Sequence, residues 1–335
     1  MSRTLISVVI PVLNECANVS ALLGKLIIAL NTLGKDWEVL FIDDGSTDGT
    51  LELIRGFNQS DKRIKAISLS RNFGKDLAIA AGLRYATGNA AIVMDADLQH
   101  PPALLVEFVA KWREGYHVVY GHRINKYTRT RLRAFASRLY YGLFQSLTDT
   151  PLLNDAGVGD FWLLDRRAID TLNSMNEVTR FTQGLCSWIG FRSIGVPYVV
   201  NERTIGESRW TYRRLLRHAI NGITAFSTLP LRISAVIGLL ISIGAIVYSI
   251  VVIIETLVFG KDLPGFPSLI ISVMFLGGAQ LITLGILGEY LARVFDEVKR
   301  RPLFVIAEEI GAGPPAKFEA IKSSIASDEL RRKAP

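Results

Sequence analysis

Two stretches near the C-terminus carry no charged residue, Ile233 to Ile254 and Leu263 to Gly288. Each reaches the roughly 20 residues that a helix needs to span a bilayer. The link between them, around Gly260-Lys261-Asp262-Leu263-Pro264, is short and electrically neutral. Arg213, Arg214, Arg217 and Arg232 precede the first stretch, and Arg293, Lys299, Arg300 and Arg301 follow the second. Basic flanks stay on the cytoplasmic side. The sequence therefore predicts a transmembrane hairpin of two helices, about 232–257 and 265–290 within a 231–292 segment, with both flanks cytoplasmic. The competing reading is two buried helices of a soluble core. Gly238, Gly244 and Gly277-Gly278 offer small-residue faces, which let helices approach closely, either within the hairpin or between copies of the chain.

The rest of the chain has a different character. Ser7 to Val12, Glu38 to Ile42, Ile64 to Leu69 and Ala91 to Met94 read as short buried strands. Amphipathic stretches such as Val19 to Leu33 and Leu77 to Tyr85 lie between them. Short apolar strands separated by helices predict an α/β fold with a mostly parallel, doubly wound sheet. Hydrophobic residues make up 49% of the 335 and charged residues 21%, which supports a packed core and excludes bulk disorder. Leu5 to Leu13 is too short for a signal peptide and reads as a strand. Cys16 and Cys186 are far apart, with no CxxC pattern, as expected of ordinary thiols in a reducing compartment.

Charge distribution is more informative than the formal net charge of +7. No acid occurs between Glu114 and Asp149, whereas Arg123, Lys126, Arg129, Arg131, Arg133 and Arg138 all do. Such a stretch suits a phosphate group or an anionic membrane surface. The segment from Arg203 to Phe226 interleaves arginines with Trp210 and Tyr212. It reads as amphipathic interfacial helices over 203–230. Nucleic acid is not an expected partner.

In doubly wound sheets, ligands bind outside the carboxyl ends of the strands. The polar clusters fall there: Asn14-Glu15, Asp43-Asp44-Gly45-Ser46, Arg71-Asn72-Phe73-Gly74 and Asp95-Ala96-Asp97. Two carboxylates one residue apart can approach one hard cation, and oxygen ligands with open positions favour Mg2+ or Mn2+. Asp43 and Asp44 exceed what a turn requires and suggest contacts to a base or ribose, while Asp48 suits a helix cap. Asn14-Glu15 could cap the first helix. Lys75 is either a solvated helix residue or a partner for a diphosphate.

Together the motifs resemble the family 2 glycosyltransferases of the GT-A fold, and within them the polyprenyl-phosphate group that includes dolichol-phosphate mannose synthase and the bactoprenol glucosyltransferases. The resemblance runs in order through Pro11-Val-Leu-Asn-Glu15, Asp43-Asp-Gly-Ser46, Arg71-Asn-Phe-Gly-Lys75 and Asp95-Ala-Asp-Leu-Gln-His-Pro-Pro102. It continues through Gly159-Asp-Phe161, Leu164-Asp-Arg-Arg167, Arg180-Phe181 with Gly184-Leu185, and Gly206-Glu-Ser-Arg-Trp210. Leu287-Gly-Glu-Tyr290 and Val298-Lys-Arg-Arg-Pro302 end it.

The resemblance implies a GT-A domain over 1–202 and a cytoplasmic tail over 293–335, in an inner-membrane, multi-pass protein with both termini cytoplasmic. Leu303 to Ile306 is expected to pack back on the catalytic domain. The implied reaction is inverting transfer of a sugar from a UDP- or GDP-linked donor, UDP-glucose by default, to polyprenyl phosphate for cell-envelope glycan or glycolipid modification. Pro11, Glu15, Asp43, Asp44, Lys75 and Asp95 would bind the nucleotide, and Asp95, Asp97 and Gln99 the Mg2+ or Mn2+. Asp160 matches the residue usually assigned as catalytic base. Arg123, Arg133, Ser137 and Arg209 would serve the lipid phosphate. A membrane-packed homo-oligomer is a further implied partner.

Departures at four positions matter. Leu13 replaces a tyrosine, Trp162 stands where an arginine commonly follows Gly-Asp-Phe, and His100 and Ala103 occupy positions more often acidic. Trp162 costs one donor phosphate or sugar contact and so bears on sugar preference. A phosphate acceptor is already anionic, so Asp160 either acts as base or orients a substrate, and stabilising the departing diphosphate is the larger need. Two rivals remain at this stage. A polysaccharide-elongating synthase would carry a glutamine where Gly206 stands and more membrane helices. A non-catalytic partner of a lipid-flipping assembly would keep the fold but need not keep both Asp95 and Asp97.

Overall fold

The computed structural model describes residues 5–34, 36–124, 158–178, 180–199, 229–259 and 265–313. The chain divides into two compact units, one built on Met1–Tyr141, Thr150–Trp210 and Pro302–Pro335, the other containing the two long C-terminal helices.

The first unit is an eight-stranded sheet in the order β7-β5-β6-β4-β1-β2-β3-β8. The strands are β1 (Ile6–Val12), β2 (Trp37–Asp43), β3 (Ile64–Leu69), β4 (Ala90–Val93), β5 (Val118–Arg123), β6 (Val158–Asp165), β7 (Ser193–Tyr198) and β8 (Ile306–Ile310). The helices are α1 (Cys16–Leu33), α2 (Thr50–Ser60), α3 (Lys75–Tyr85), α4 (Leu104–Arg113), α5 (Arg166–Ser174) and α6 (Thr182–Trp188). β1 to β4 pair in parallel, as their continuous apolar runs predict. β6 enters antiparallel between β4 and β5, and β7 lies parallel to β5.

Alternation along the strands serves two cores. Val8, Ile10, Val39, Phe41, Ile92, Phe161 and Leu163 join Leu22, Leu26 and Leu30 of α1 and Phe108 of α4 on one face. On the other face α3 approaches β1 and β2 through Gly82, where a Cβ would press on Val9 and lie 3.0 Å from Ile42 Cγ1.

β8 brings residues beyond the long helices onto the edge of the sheet, antiparallel to β3. Arg55 grips Glu308 at 2.7 and 3.0 Å, the Tyr85 hydroxyl donates to Glu309 at 2.6 Å, and Arg84 lies 5.3 Å over the Phe304 ring. The return to the first unit is thus a full strand, centred slightly beyond Leu303 to Ile306. Both cysteines are free thiols.

The second unit contains α7 (Leu229–Phe259) and α8 (Phe266–Val298), which pack on each other. At 31 and 33 residues they run about 46 and 50 Å, ample for a hydrocarbon layer of about 30 Å. Large apolar side chains such as Leu240, Leu257, Met274 and Leu281 are exposed, at 64 to 80%. Among the described residues, three helices are long and apolar enough to cross a membrane, α1 being the third. α1 differs in that Leu22, Leu26 and Leu30 are sealed in the core of the first unit. α8 continues past the expected end near 290, and its last turns carry an Arg293–Glu289 pair at 3.2 Å and a Lys299 ammonium 3.9 Å from the Phe295 ring centre.

Candidate active site

The loops at the carboxyl ends of β1 and β2 are stitched together by backbone donors. Asn14, in the left-handed region at φ 56°, receives the Thr47 N–H at 2.7 Å and donates its own N–H to Ser46 Oγ at 2.9 Å. Asp48 accepts from the N–H groups of Thr50 and Cys16, both at 3.1 Å, and so caps the starts of α2 and α1 together. Glu15 gives α1 no side-chain cap; its carboxylate accepts instead from Asn18 Nδ2 at 2.7 Å. Pro11 sits half-buried in β1 beside Ile42.

Asp43 and Asp44 are both buried and engaged by the protein. Asp43 accepts from Ser46 N–H and Ser68 Oγ, each at 2.9 Å. Asp44 accepts from the N–H groups of Phe73 and Gly74 at 2.7 and 2.9 Å, which fixes the entrance to α3. Burial raises the Asp44 pKa above the ordinary carboxylate value despite those two bonds, and the Asp43 charge adds to the rise. Gly45, at φ 80°, allows this close approach, since a Cβ there would lie 3.0 Å from the Arg71 carbonyl carbon.

That entrance aims Lys75, the first residue of α3, at two carboxylates. Its Nζ lies 2.6 Å from Asp95 Oδ1 and 2.7 Å from Asp160 Oδ2. Burial alone would lower the lysine pKa, but the two carboxylates outweigh it and hold the ammonium above the ordinary lysine range. Burial likewise pushes Asp95 up, and the Lys75 charge reverses that, so Asp95 stays below its ordinary value. The carboxylate side chains remain 25% and 33% exposed. Three residues, from the loop after β4, from β6 and from α3, thus converge on one open cluster.

Asp97 and Gln99 lie in the same loop, where Gln99 N–H donates to Asp97 Oδ1 at 3.1 Å. Among the described residues, no three of His, Cys, Asp or Glu form a cluster that could hold a metal. Two partly exposed carboxylates and a glutamine amide oxygen are nevertheless a hard-oxygen donor set with room for phosphate oxygens, which fits Mg2+ or Mn2+. Arg123, at the end of β5, donates Nε–H to the Tyr198 hydroxyl at 3.0 Å. Arg133, Ser137, Arg209 and the 203–230 segment up to residue 228 lie outside the described residues.

Trp162, one of the departures noted in the sequence, lies in the core. It is fully buried in β6, across from Val93 and Tyr120. The sequence also offered no role for His100, which is 0% exposed and accepts the Asp95 N–H through Nδ1 at 3.1 Å. Asp76 was missed too: it accepts Thr182 N–H and Oγ–H at 3.1 and 2.6 Å, tying the start of α6 to that of α3.

The model of glycosyl transferase family 2 matches residues 7–172, a span that includes every residue of the Lys75 cluster. The chain is 41% identical over 303 residues to the uncharacterized glycosyltransferase sll0501 of Synechocystis sp., covering 90% of this chain and 95% of that one. The chain belongs to glycosyl transferase family 2. This glycosyltransferase is also 38% identical to the uncharacterized glycosyltransferase YkcC of Bacillus subtilis (91% and 94% covered), and 37% identical to the bactoprenol glucosyl transferase of Shigella phage SfII (92% and 99% covered).

Proposed function

We propose that this glycosyltransferase moves a sugar, with inversion, from a nucleotide diphosphate to polyprenyl phosphate at the cytoplasmic face of the inner membrane. The observation that carries the reading is the Lys75 ammonium held between Asp95 and Asp160 beside the Asp95–Gln99 loop. The acceptor class follows from the name of the phage relative, which covers nearly the same length. UDP-glucose is the preferred donor on the same ground. α7 and α8 then form the hairpin that keeps the catalytic domain and both termini cytoplasmic, and their small-residue faces suit a homo-oligomer.

An acceptor phosphate oxygen attacks the anomeric carbon, and the bond from that carbon to the diphosphate oxygen breaks, its electron pair leaving with the nucleotide. The acceptor is anionic, so no proton need be removed before attack. Asp160, paired with Lys75, orients the reacting groups rather than acting as a base. An ammonium has three N–H donors; Asp95 and Asp160 take two, and the third is available to the diphosphate. Asp95, Asp97 and Gln99 would hold a divalent ion, which when bound supplies Lewis-acid stabilisation of the leaving charge. Arg123, Arg133, Ser137 and Arg209 would gather the lipid phosphate, where guanidinium forks match phosphate oxygens.

A donor screen tests this. Membranes containing the chain are incubated with polyprenyl phosphate, Mg2+ or Mn2+ and each of a set of radiolabelled UDP- and GDP-sugars. Labelled polyprenyl lipid with one donor is the expected result; no labelled lipid with any donor overturns the reading.

A further inference from the structure

We propose that His100 is a positioning residue that fixes the metal-binding loop against the strand carrying Asp160. The inference rests on the metal reading of Asp95, Asp97 and Gln99 given above and names what holds those residues in place.

The loop from Asp95 to His100 closes on itself. His100 Nδ1 accepts the Asp95 N–H at 3.1 Å, and Asp97 Oδ1 accepts the Gln99 N–H at 3.1 Å. Between these bonds Leu98 sits at φ 61°, in the left-handed region that a leucine adopts only when its surroundings dictate it. The same imidazole stacks on Phe161, with centroids 4.6 Å apart and planes 8° from parallel. Phe161 directly follows Asp160 in β6. The ring also meets Tyr198 edge-on at 6.0 Å, and the Tyr198 hydroxyl accepts from Arg123. One side chain therefore touches the backbone of the metal loop, the neighbour of Asp160 and the partner of Arg123.

The protonation pattern argues that the amide contact is what a histidine supplies here. With Nδ1 accepting, the neutral ring carries its proton on Nε2, and that buried atom has no partner among the described residues. An apolar ring would fill the space without an orphaned N–H. It could not accept the Asp95 amide.

Two variants of the full-length protein in detergent separate these roles. H100F keeps a ring on Phe161 and removes the acceptor. H100N keeps an acceptor near the Nδ1 position and removes most of the ring. Mn2+ binding in the presence of UDP is followed by the free Mn2+ electron paramagnetic resonance signal, beside thermal melting. H100F is expected to weaken Mn2+ binding about tenfold, the scale on which outer-shell partners act, while melting no lower than wild type. H100N is expected to bind Mn2+ within about twofold of wild type while melting lower. Should H100F not fold, H100L deletes the acceptor with less bulk and is read the same way. Wild-type Mn2+ binding in the acceptor-deleted variant, or Mn2+ affinities that simply follow melting temperature, overturns the role of His100. A wild-type chain that binds no Mn2+ with UDP overturns the metal reading itself, and His100's part with it.

Discussion

Two acid–lysine clusters occupy opposite ends of the same sheet. At the amino ends of the strands, Glu38 receives Ser7 Oγ at 2.6 Å, the N–H and hydroxyl of Thr87 at 2.8 Å each, and Lys65 Nζ at 2.7 Å. Its side chain is 5% exposed. At the carboxyl ends, Asp95 and Asp160 share Lys75 and remain open to solvent. The ingredients match, but the saturation differs. A carboxylate surrounded by donors is finished as a structural element, whereas a pair of carboxylates sharing one ammonium keeps lone pairs for something else. Parallel strands make the difference consistent, because every loop that leaves a carboxyl end arrives at the same edge.

The comparison breaks most visibly at Lys75. K75M leaves Asp95 and Asp160 without their cation and the diphosphate without its ammonium; turnover is expected to fall about a hundredfold, the scale of one lost preorganised donor. Steady-state sugar transfer checks this, and a K75M chain that turns over like wild type would place the chemistry elsewhere. The opposite pattern is expected at the closed end. E38Q should leave activity per folded molecule unchanged and lower stability by about 2 kcal/mol, the cost of weakening a buried charge-assisted network. The pH dependence has a definite sign. Burial raises the Glu38 pKa, but Lys65, Ser7 and Thr87 outweigh it and hold the carboxyl below its ordinary value of 4.5. The stabilisation is therefore present at neutral pH and disappears as pH falls through that lowered value. Melting curves of wild type and E38Q should converge on acidification; a constant gap would contradict the assignment. The smallest change is expected from Y85F, which removes the hydrogen bond to Glu309 that helps pin β8. A loss of about 0.5 kcal/mol, read by chemical denaturation, with no change in transfer, would mark the β8 edge as structural.

Much of this organisation was legible in the sequence. The four central strands announce themselves as apolar runs, and their polar ends lie in the loops that the structure gathers. Two kinds of feature were not legible. β6 and β8 pair with strands distant in sequence, β8 after both long helices, and no local periodicity encodes a partner across such a separation. Convergence was hidden as well: Lys75 read equally well as a solvated residue, and only the fold brings it between Asp95 and Asp160. Trp162 stands out in the sequence because it interrupts a motif, while alternation along β6 puts its side chain in the interior. His100 showed no sign of burial in a run of polar residues and prolines; its stacking on Phe161 depends on β6 lying beside β4.

The open cluster is tested most directly by the purified full-length chain reconstituted in vesicles with polyprenyl phosphate, Mn2+ and the labelled donor selected by the screen, wild type beside Asp97→Ala. Asp97 lies in the loop after β4 and outside the hydrophobic core, so its loss should not unfold the domain. Label in the polyprenyl lipid from wild type, reduced about a thousandfold in the variant with an unchanged melting temperature, is the predicted result. Equal labelling by the two proteins would contradict a metal-assisted transfer at this edge of the sheet.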